Sequence, residues 1–319
     1  MTAFTIPHSA FDIRAGSHLV AVVLAIALLP LIVVGAGVTS KDAGMAFPDW
    51  PTSGGHLVNP PGWWQGEKTL WEHGHRLLGW AVGMLAIVST VFCFRRGATL
   101  RTVSTNARER WCECLSLATL LAIVIQGVLG GIRVQSVSTT LALVHGVWGQ
   151  VCFCLACVVG LLTSRAWLES GPAVEARGAT FFQRGTLVGT ICVFLQLVTG
   201  AAQRHFGVRE ALIAHLLGAV VVILVLSWAA MWALEQYPHL ALLAKLGRML
   251  AALVGLQMIL GGLAFLVTVM GGDWPVTLRW AAPSAHVLVG AMLLACVLLM
   301  TLSSRRLLRQ VTDPASAAM

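Results

Sequence analysis

Eight separate apolar stretches, each about twenty residues long and so long enough to cross a bilayer, constrain this chain more than any other feature. Their approximate limits are 18–38, 70–94, 113–132, 140–163, 183–201, 211–233, 245–270 and 284–302. A helix needs ~20 such residues to cross ~30 Å of hydrocarbon. Backbone N–H and C=O groups have no water partner there, so a spanning segment must satisfy them internally, as a helix does. Composition agrees: 57% of the residues are hydrophobic and 11% are charged, against about 25% charged in an ordinary soluble domain. The expected fold is an all-α integral membrane protein with eight transmembrane helices. The first 18 residues, "MTAFTIPHSAFDIRAGSH", precede a span of full length, which reads as a retained helix rather than a cleaved signal.

The basic residues set an orientation. One side collects Arg14, then Arg95, Arg96, Arg101, Arg108 and Arg110, then Arg165, Arg177 and Arg184, then Lys245 and Arg248, then Arg305, Arg306 and Arg309. The other side has Lys41, Lys68, Arg76, Arg133, Arg204, Arg209 and Arg279. The richer side faces the cytoplasm, so both termini are expected there, in a bacterial cytoplasmic membrane rather than a mitochondrial inner one. The formal charge of +8 is scattered through short loops and tails in this way, and gives no reason to expect a nucleic-acid partner.

The longest outer loop, 39–69, carries Asp49, Trp50, Trp63 and Trp64 among Gly and Pro. Interfacial Trp is ordinary, but a loop this long in a compact bundle is more often functional than idle. None of the eight Cys falls in an outer loop, so no structural disulfide is expected. Cys154 and Cys157 have CxxC spacing without a following His, which does not indicate covalent haem attachment.

The chain looks duplicated. "LVHGVWGQ" (143–150) resembles "SAHVLVGA" (284–291), "QGVLGG" (126–131) resembles "QMILGG" (257–262), and "EHGHRLLG" (72–79) resembles "LIAHLLG" (212–218). His75 and His215 are 140 residues apart, and His145 and His286 are 141 apart. Two tandem four-helix bundles, residues 1–170 and 171–319, are expected from this repeat.

Of the ten His, His8, His18, His56 and His239 fall in tails, loops or interfaces, and His205 in a short outer loop. His73 is two residues from His75 and so lies on a different helix face. His75, His145, His215 and His286 each come early in an even-numbered span, at similar depth in the outer half of the bilayer. Ionisable residues within a membrane are costly and mark functional sites, and bundle cofactors are held by side chains on facing helices. Zinc prefers a set of four ligands, or three plus water. Each half here offers two His, which suits the two axial positions of a haem iron. Arg76, Arg133, Arg204, Arg209 and Arg279 lie on the outer face, where guanidinium groups would pair with haem propionates or anchor the helix ends.

Glu72 distinguishes the halves. It lies three residues before His75 on nearly the same face, and the second half has Leu212 at that place. "TLWE" (69–72) also fits a capping box with Thr69 as N-cap. Gln126, Gln196 and Gln257 recur before Gly-rich positions, where interhelical hydrogen bonding at close packing is the simplest role.

On these residues the chain resembles the heme A synthase family. "GVTSKDAGMAFPDWP" (37–51) is similar to the family's first outer loop, "EHGHR" (72–76) fits its E-x-x-H-R pattern, and "VHGVWGQ", "AHLLGA" and "AHVLVGA" complete the match along nearly the whole chain. The resemblance implies oxidation of the C8 methyl of haem O to a formyl group, giving haem A for cytochrome oxidase. It implies that the first half is the substrate site, with His75 and His145 flanking the haem O iron and Glu72 near the methyl. It implies that the second half holds haem b on His215 and His286. Implied partners are haem O, membrane lipid, the haem O-forming farnesyltransferase and cytochrome oxidase assembly factors. Some family members carry a cysteine pair in the first outer loop, which this chain lacks. The alternative from the residues alone is a bis-His dihaem electron carrier linked to quinol, without methyl oxidation. A duplicated transporter would need polar groups at interrupted helices near the midplane, whereas here they cluster toward the outer ends.

Overall fold

The computed structural model describes residues 8–101 and 107–311. Its architecture is helical, as expected, apart from one short strand pair and the connecting loops. The long helices are α1 (His8–Ser40), α2 (Glu67–Arg101), α3 (Ala107–Ser136), α4 (Thr139–Thr163), α5 (Ala179–Phe206), α6 (Arg209–Gln236), α7 (Ala241–Phe265) and α8 (Val276–Leu307). A π-helical turn, Leu266–Met270, extends α7. Among the described residues, eight segments are long and apolar enough to cross a membrane, and they correspond one to one with the eight apolar stretches. The helices overrun the apolar windows at most ends. Backbone hydrogen bonding continues past the hydrocarbon edge, while hydropathy falls as soon as polar side chains begin.

One consequence corrects the reading of residues 95–111 as a loop. Most of that segment is helix, the end of α2 and the start of α3, and residues 102–106 lie outside the described ones. Arg96, expected among solvated loop cations, is 1% exposed inside α2, with Nη1 donating to Ser17 Oγ at 3.4 Å.

The chain divides into two compact units, Met1–Ser164 with Leu260–Leu288, and Arg165–Ile259 with Val289–Met319. In the first, α1 packs on α2 and α4, and α3 packs on α2 and α4, which closes a four-helix bundle. Its interior is lined at helical spacing by Ala21, Leu24 and Leu28 of α1 and by Val82, Ala86 and Cys93 of α2. In the second unit, α5 pairs with α6, and Leu226, Ala229, Ala230 and Ala233 form the buried face of α6. A short parallel pair, β1 (Val174–Ala176) and β2 (Leu308–Gln310), ties the segment before α5 to the end of α8. None of the eight cysteines forms a disulfide.

The connections matter for the site. Residues 137–138 join α3 to α4, and residues 207–208 join α5 to α6. Residues 41–66, between α1 and α2, are by far the longest connection on that side of the described chain.

Candidate functional site

The 41–66 loop is held by three side chains of α2, Glu72, His73 and Arg76. Arg76 Nη1 donates to Asp49 O at 2.7 Å, Thr52 O at 2.6 Å and Ser53 Oγ at 3.1 Å. Its Nη2 donates to Phe47 O at 3.1 Å and to Glu72 Oε1. Glu72 is 4% exposed, and its Oε2 accepts from Phe47 N at 3.0 Å. His73, 1% exposed, donates from Nε2 to Val58 O at 2.9 Å. A neutral ring then accepts at Nδ1 from the Ser53 hydroxyl at 3.0 Å. Phe47 and Trp63 pack edge-on against it, with centroids 6.0 and 4.8 Å away.

Within the loop, Ser53 and His56 bridge across Gly54 and Gly55, whose φ of 59° and 81° suit a tight hairpin turn only glycine enters freely. Asp49 accepts from both glycine N–H groups at 2.8 and 2.9 Å. The Gly55 bond first, then the Thr52 side chain, hold this exposed carboxyl well below the usual carboxylate range.

These contacts correct two expectations. Thr69 is no N-cap: α2 begins at Glu67, and Thr69 Oγ1 donates to Trp63 O and Gly66 O. Glu72 turns its carboxylate to the loop and to Arg76. Arg76 in turn spends every terminal N–H on the loop and on Glu72, so it has none left for a propionate.

The four candidate histidines share one environment. Each presents its Cε1 edge to a glycine on the preceding long helix. A Cβ built on Gly35 would lie 2.8 Å from His75 Cε1, one on Gly130 3.0 Å from His145, one on Gly200 2.7 Å from His215, and one on Gly261 3.0 Å from His286. Two of the glutamines support the same rings from behind. Gln126 Nε2 donates to His145 O at 3.0 Å and lies 3.3 Å from His145 Nε2. Gln196 Nε2 donates to His215 O at 2.7 Å. The spacing Gln-x-x-x-Gly was visible in the sequence at 126/130, 196/200 and 257/261, but what the glycines face was not. At the first site Leu31 stands where the glutamine would be.

His75 and His145 come together in the first unit. Their ring centroids are 6.4 Å apart, with planes at 79°. A metal–imidazole bond is about 2.0–2.1 Å and a ring centre lies roughly 1.1 Å behind its nitrogen, so two axial rings on one iron stand about 6.3 Å apart. His75 Nδ1 is buried without a hydrogen-bond partner. His215 Nδ1, in the second unit, faces Gln196 O at 3.1 Å. A carbonyl only accepts, so Nδ1 carries the proton and Nε2 keeps its lone pair, the arrangement usual for a metal-bound imidazole. The spacing of the His75–His145 pair fits axial ligation of one iron. Among the described residues no group of three or more His, Cys, Asp or Glu gathers as a zinc site would require.

The remaining arginines differ. Arg133, half-buried in the last turn of α3, lays its guanidinium against Gly44 of the loop. Arg204 is half-buried in the last turn of α5, one turn beyond Gly200. Both positions suit a cation at a helix C-terminus. Arg209, at the start of α6, and Arg279, in the first turn of α8, are exposed. A groove of about 490 Å³ in the second unit is lined by Phe181, Arg184, Gly185, Val188, Val225 and Trp228, and includes none of the candidate residues.

The family model described as COX15-CtaA, cytochrome oxidase assembly protein, covers residues 18–208, more than half of the chain. It takes in most of α1, all of α2 to α5, the 41–66 loop, Glu72, His75 and His145. No curated protein matches the chain.

Proposed function

The chain belongs to the COX15-CtaA family of cytochrome oxidase assembly proteins, and from that premise we propose that it makes haem A by oxidising the C8 methyl of haem O. Its part in cytochrome oxidase assembly follows from the family. The observation that carries the finer reading is the His75–His145 pair, 6.4 Å apart in one four-helix bundle beneath a loop anchored by Glu72 and Arg76.

In this reading the first four helices take haem O as substrate between His75 and His145. Bound iron would supply the oxygen activation that side chains cannot. Two successive monooxygenations of the methyl, each consuming one O2 and two electrons from an external donor and releasing one water, would give the alcohol and then the hydrated aldehyde, whose loss of water leaves the formyl group. The protein holds the macrocycle, excludes bulk water beneath the 41–66 loop, and keeps the Glu72 carboxylate oriented one turn from His75. His215 and His286 would hold haem b, which would supply electron transfer, and Arg133, Arg204, Arg209 and Arg279 would be the cations available to propionates. The positive-inside distribution supports a reading with both termini cytoplasmic, in a bacterial cytoplasmic membrane. The haem O-forming farnesyltransferase and oxidase assembly factors are its expected neighbours.

Haem extraction and chromatography of the purified protein, from a host that supplies haem O, tests this. Haem b with haem O, haem A or a hydroxylated intermediate supports the enzyme. Haem b alone, with haem O supplied, refutes it and leaves the electron carrier. Glu72→Gln, which keeps an acceptor for Phe47 N, should retain haem b and stop haem A formation. Normal haem A from that variant would reduce Glu72 to a loop anchor.

A further inference from the structure

We propose that Gly35, Gly130, Gly200 and Gly261 are positioning residues, each a notch that seats the Cε1 edge of one histidine and thereby aims its ring nitrogens. The inference deepens the haem-ligation reading and rests on it.

The repetition carries the argument. Four glycines on four different helices meet four histidines on the helices that follow, through the same ring atom, at 2.7–3.0 Å from a would-be Cβ. The chain has 32 glycines, and many in the spans face nothing. Gly79, Gly83, Gly127, Gly255 and Gly262 would carry a Cβ with no neighbour within 4 Å. The contrast is sharpest at Gly261 and Gly262, adjacent in sequence, of which only the first meets a histidine. General close packing of small residues between helices would not select one imidazole atom four times.

The atom contacted also has a consequence. Cε1 lies between Nδ1 and Nε2, so a wall there limits rotation about both side-chain torsions and fixes where both nitrogens point. At His145 and His215 the glutamine bond to the histidine's own carbonyl holds the backbone behind the ring. A methyl in the notch would displace the ring edge. A free imidazole could swing away, but one bonded to iron could do so only by bending or lengthening that bond. Disturbing the orientation of a metal-bound histidine typically costs roughly 10–100-fold in metal affinity.

The test compares Gly→Ala variants of the full chain at 35, 130, 200 and 261 with controls Gly127→Ala and Gly255→Ala. Haem per protein, the EPR g-values of the ferric low-spin haems and their midpoint potentials are read in each. The four notch variants should lose haem roughly 10–100-fold more readily, or shift g-values and potential. Gly200→Ala and Gly35→Ala, with the tightest contacts, should be affected most, and the controls not at all. Wild-type spectra and potentials in all four refute the notch while leaving histidine ligation intact. Wild-type protein that is folded, supplied with haem and empty refutes the ligation reading and the inference with it. A variant that fails to fold is decided by Gly200→Ala/His215→Ala: recovery of the helical melt on removing the ring locates the clash at the imidazole, and no recovery overturns the proposal.

Discussion

Replacing Arg76 by Ala should release the 41–66 loop without unfolding the bundle. Arg76 and Glu72 side chains are 12% and 5% exposed. Removing one partner of a buried ion pair costs about 3–5 kcal/mol, because the other charge is left uncompensated. The acceptors at Phe47, Asp49, Thr52 and Ser53 lose their donor at the same time. At 1.4 kcal/mol per tenfold, the loop should open roughly 10²- to 4 × 10³-fold more often. Hydrogen–deuterium exchange in lipid nanodiscs reads this directly. The amides of Phe47, Ser53, Gly54, Gly55 and His56, all bonded in the loop, should exchange faster by that factor, while those of α4 keep their rates. Arg76→Lys should fall between, since an ammonium balances Glu72 but cannot reach four forked acceptors. Unchanged protection of residues 47–56 in Arg76→Ala would mean the loop stands by itself and that the guanidinium is free for another ligand.

Three further expectations follow from the same contacts. The folded Asp49 carboxyl titrates below the ordinary value of ~3.9, so its contribution is complete above that pH and fades only as pH falls through the lower, folded value; protection of the Gly54 and Gly55 amides should be flat from neutral pH down to the ordinary carboxylate range, and loss above it would refute the assignment. His73→Phe keeps the ring packing but removes two hydrogen bonds, each worth about 1 kcal/mol, so exchange near residues 53–58 should quicken while haem content stays as in wild type; lost haem would make His73 a ligand. Gln196→Leu removes the bond to His215 O, and thermal stability should drop by about 0.6 kcal/mol and no more than ~1.7, the range for interhelical bonds in membranes.

What could be read from the sequence was whatever is local or repeated. Eight spans were legible because a hydrocarbon layer imposes a length on every one of them. The duplication set four histidines apart from the other six, and each of the four meets a glycine of the preceding long helix. What escaped depends on partners distant in sequence. Arg96 looked like a loop cation because nothing nearby announces that α2 continues and turns it onto Ser17, 79 residues earlier. Thr69 and Glu72 have capping-box spacing, and only the start of α2 at Glu67, with Phe47 N waiting for the carboxylate, shows that the spacing is incidental. The glycine notches left a trace, the Gln-x-x-x-Gly repeat, but the atom each glycine faces belongs to another helix.

The asymmetry between the halves now has two components that are one. Glu72 has no counterpart, since Leu212 stands at the matching place, and the loop it anchors has none either, since residues 207–208 are all that join α5 to α6. A carboxylate absent from the second half therefore does not by itself argue for chemistry: it is missing where there is no loop to hold. Position argues for chemistry instead. The loop could have been tied down from anywhere along α2, yet its anchor lies one turn before His75, and Arg76 follows that histidine directly. Anchoring and reaction then separate by substitution. Arg76→Lys loosens the loop and leaves the carboxylate, whereas Glu72→Gln removes the charge and keeps an acceptor for Phe47 N. If haem A formation follows loop protection across both variants, Glu72 serves through the loop. If Glu72→Gln stops the reaction while residues 47–56 stay protected, the carboxylate acts on the substrate.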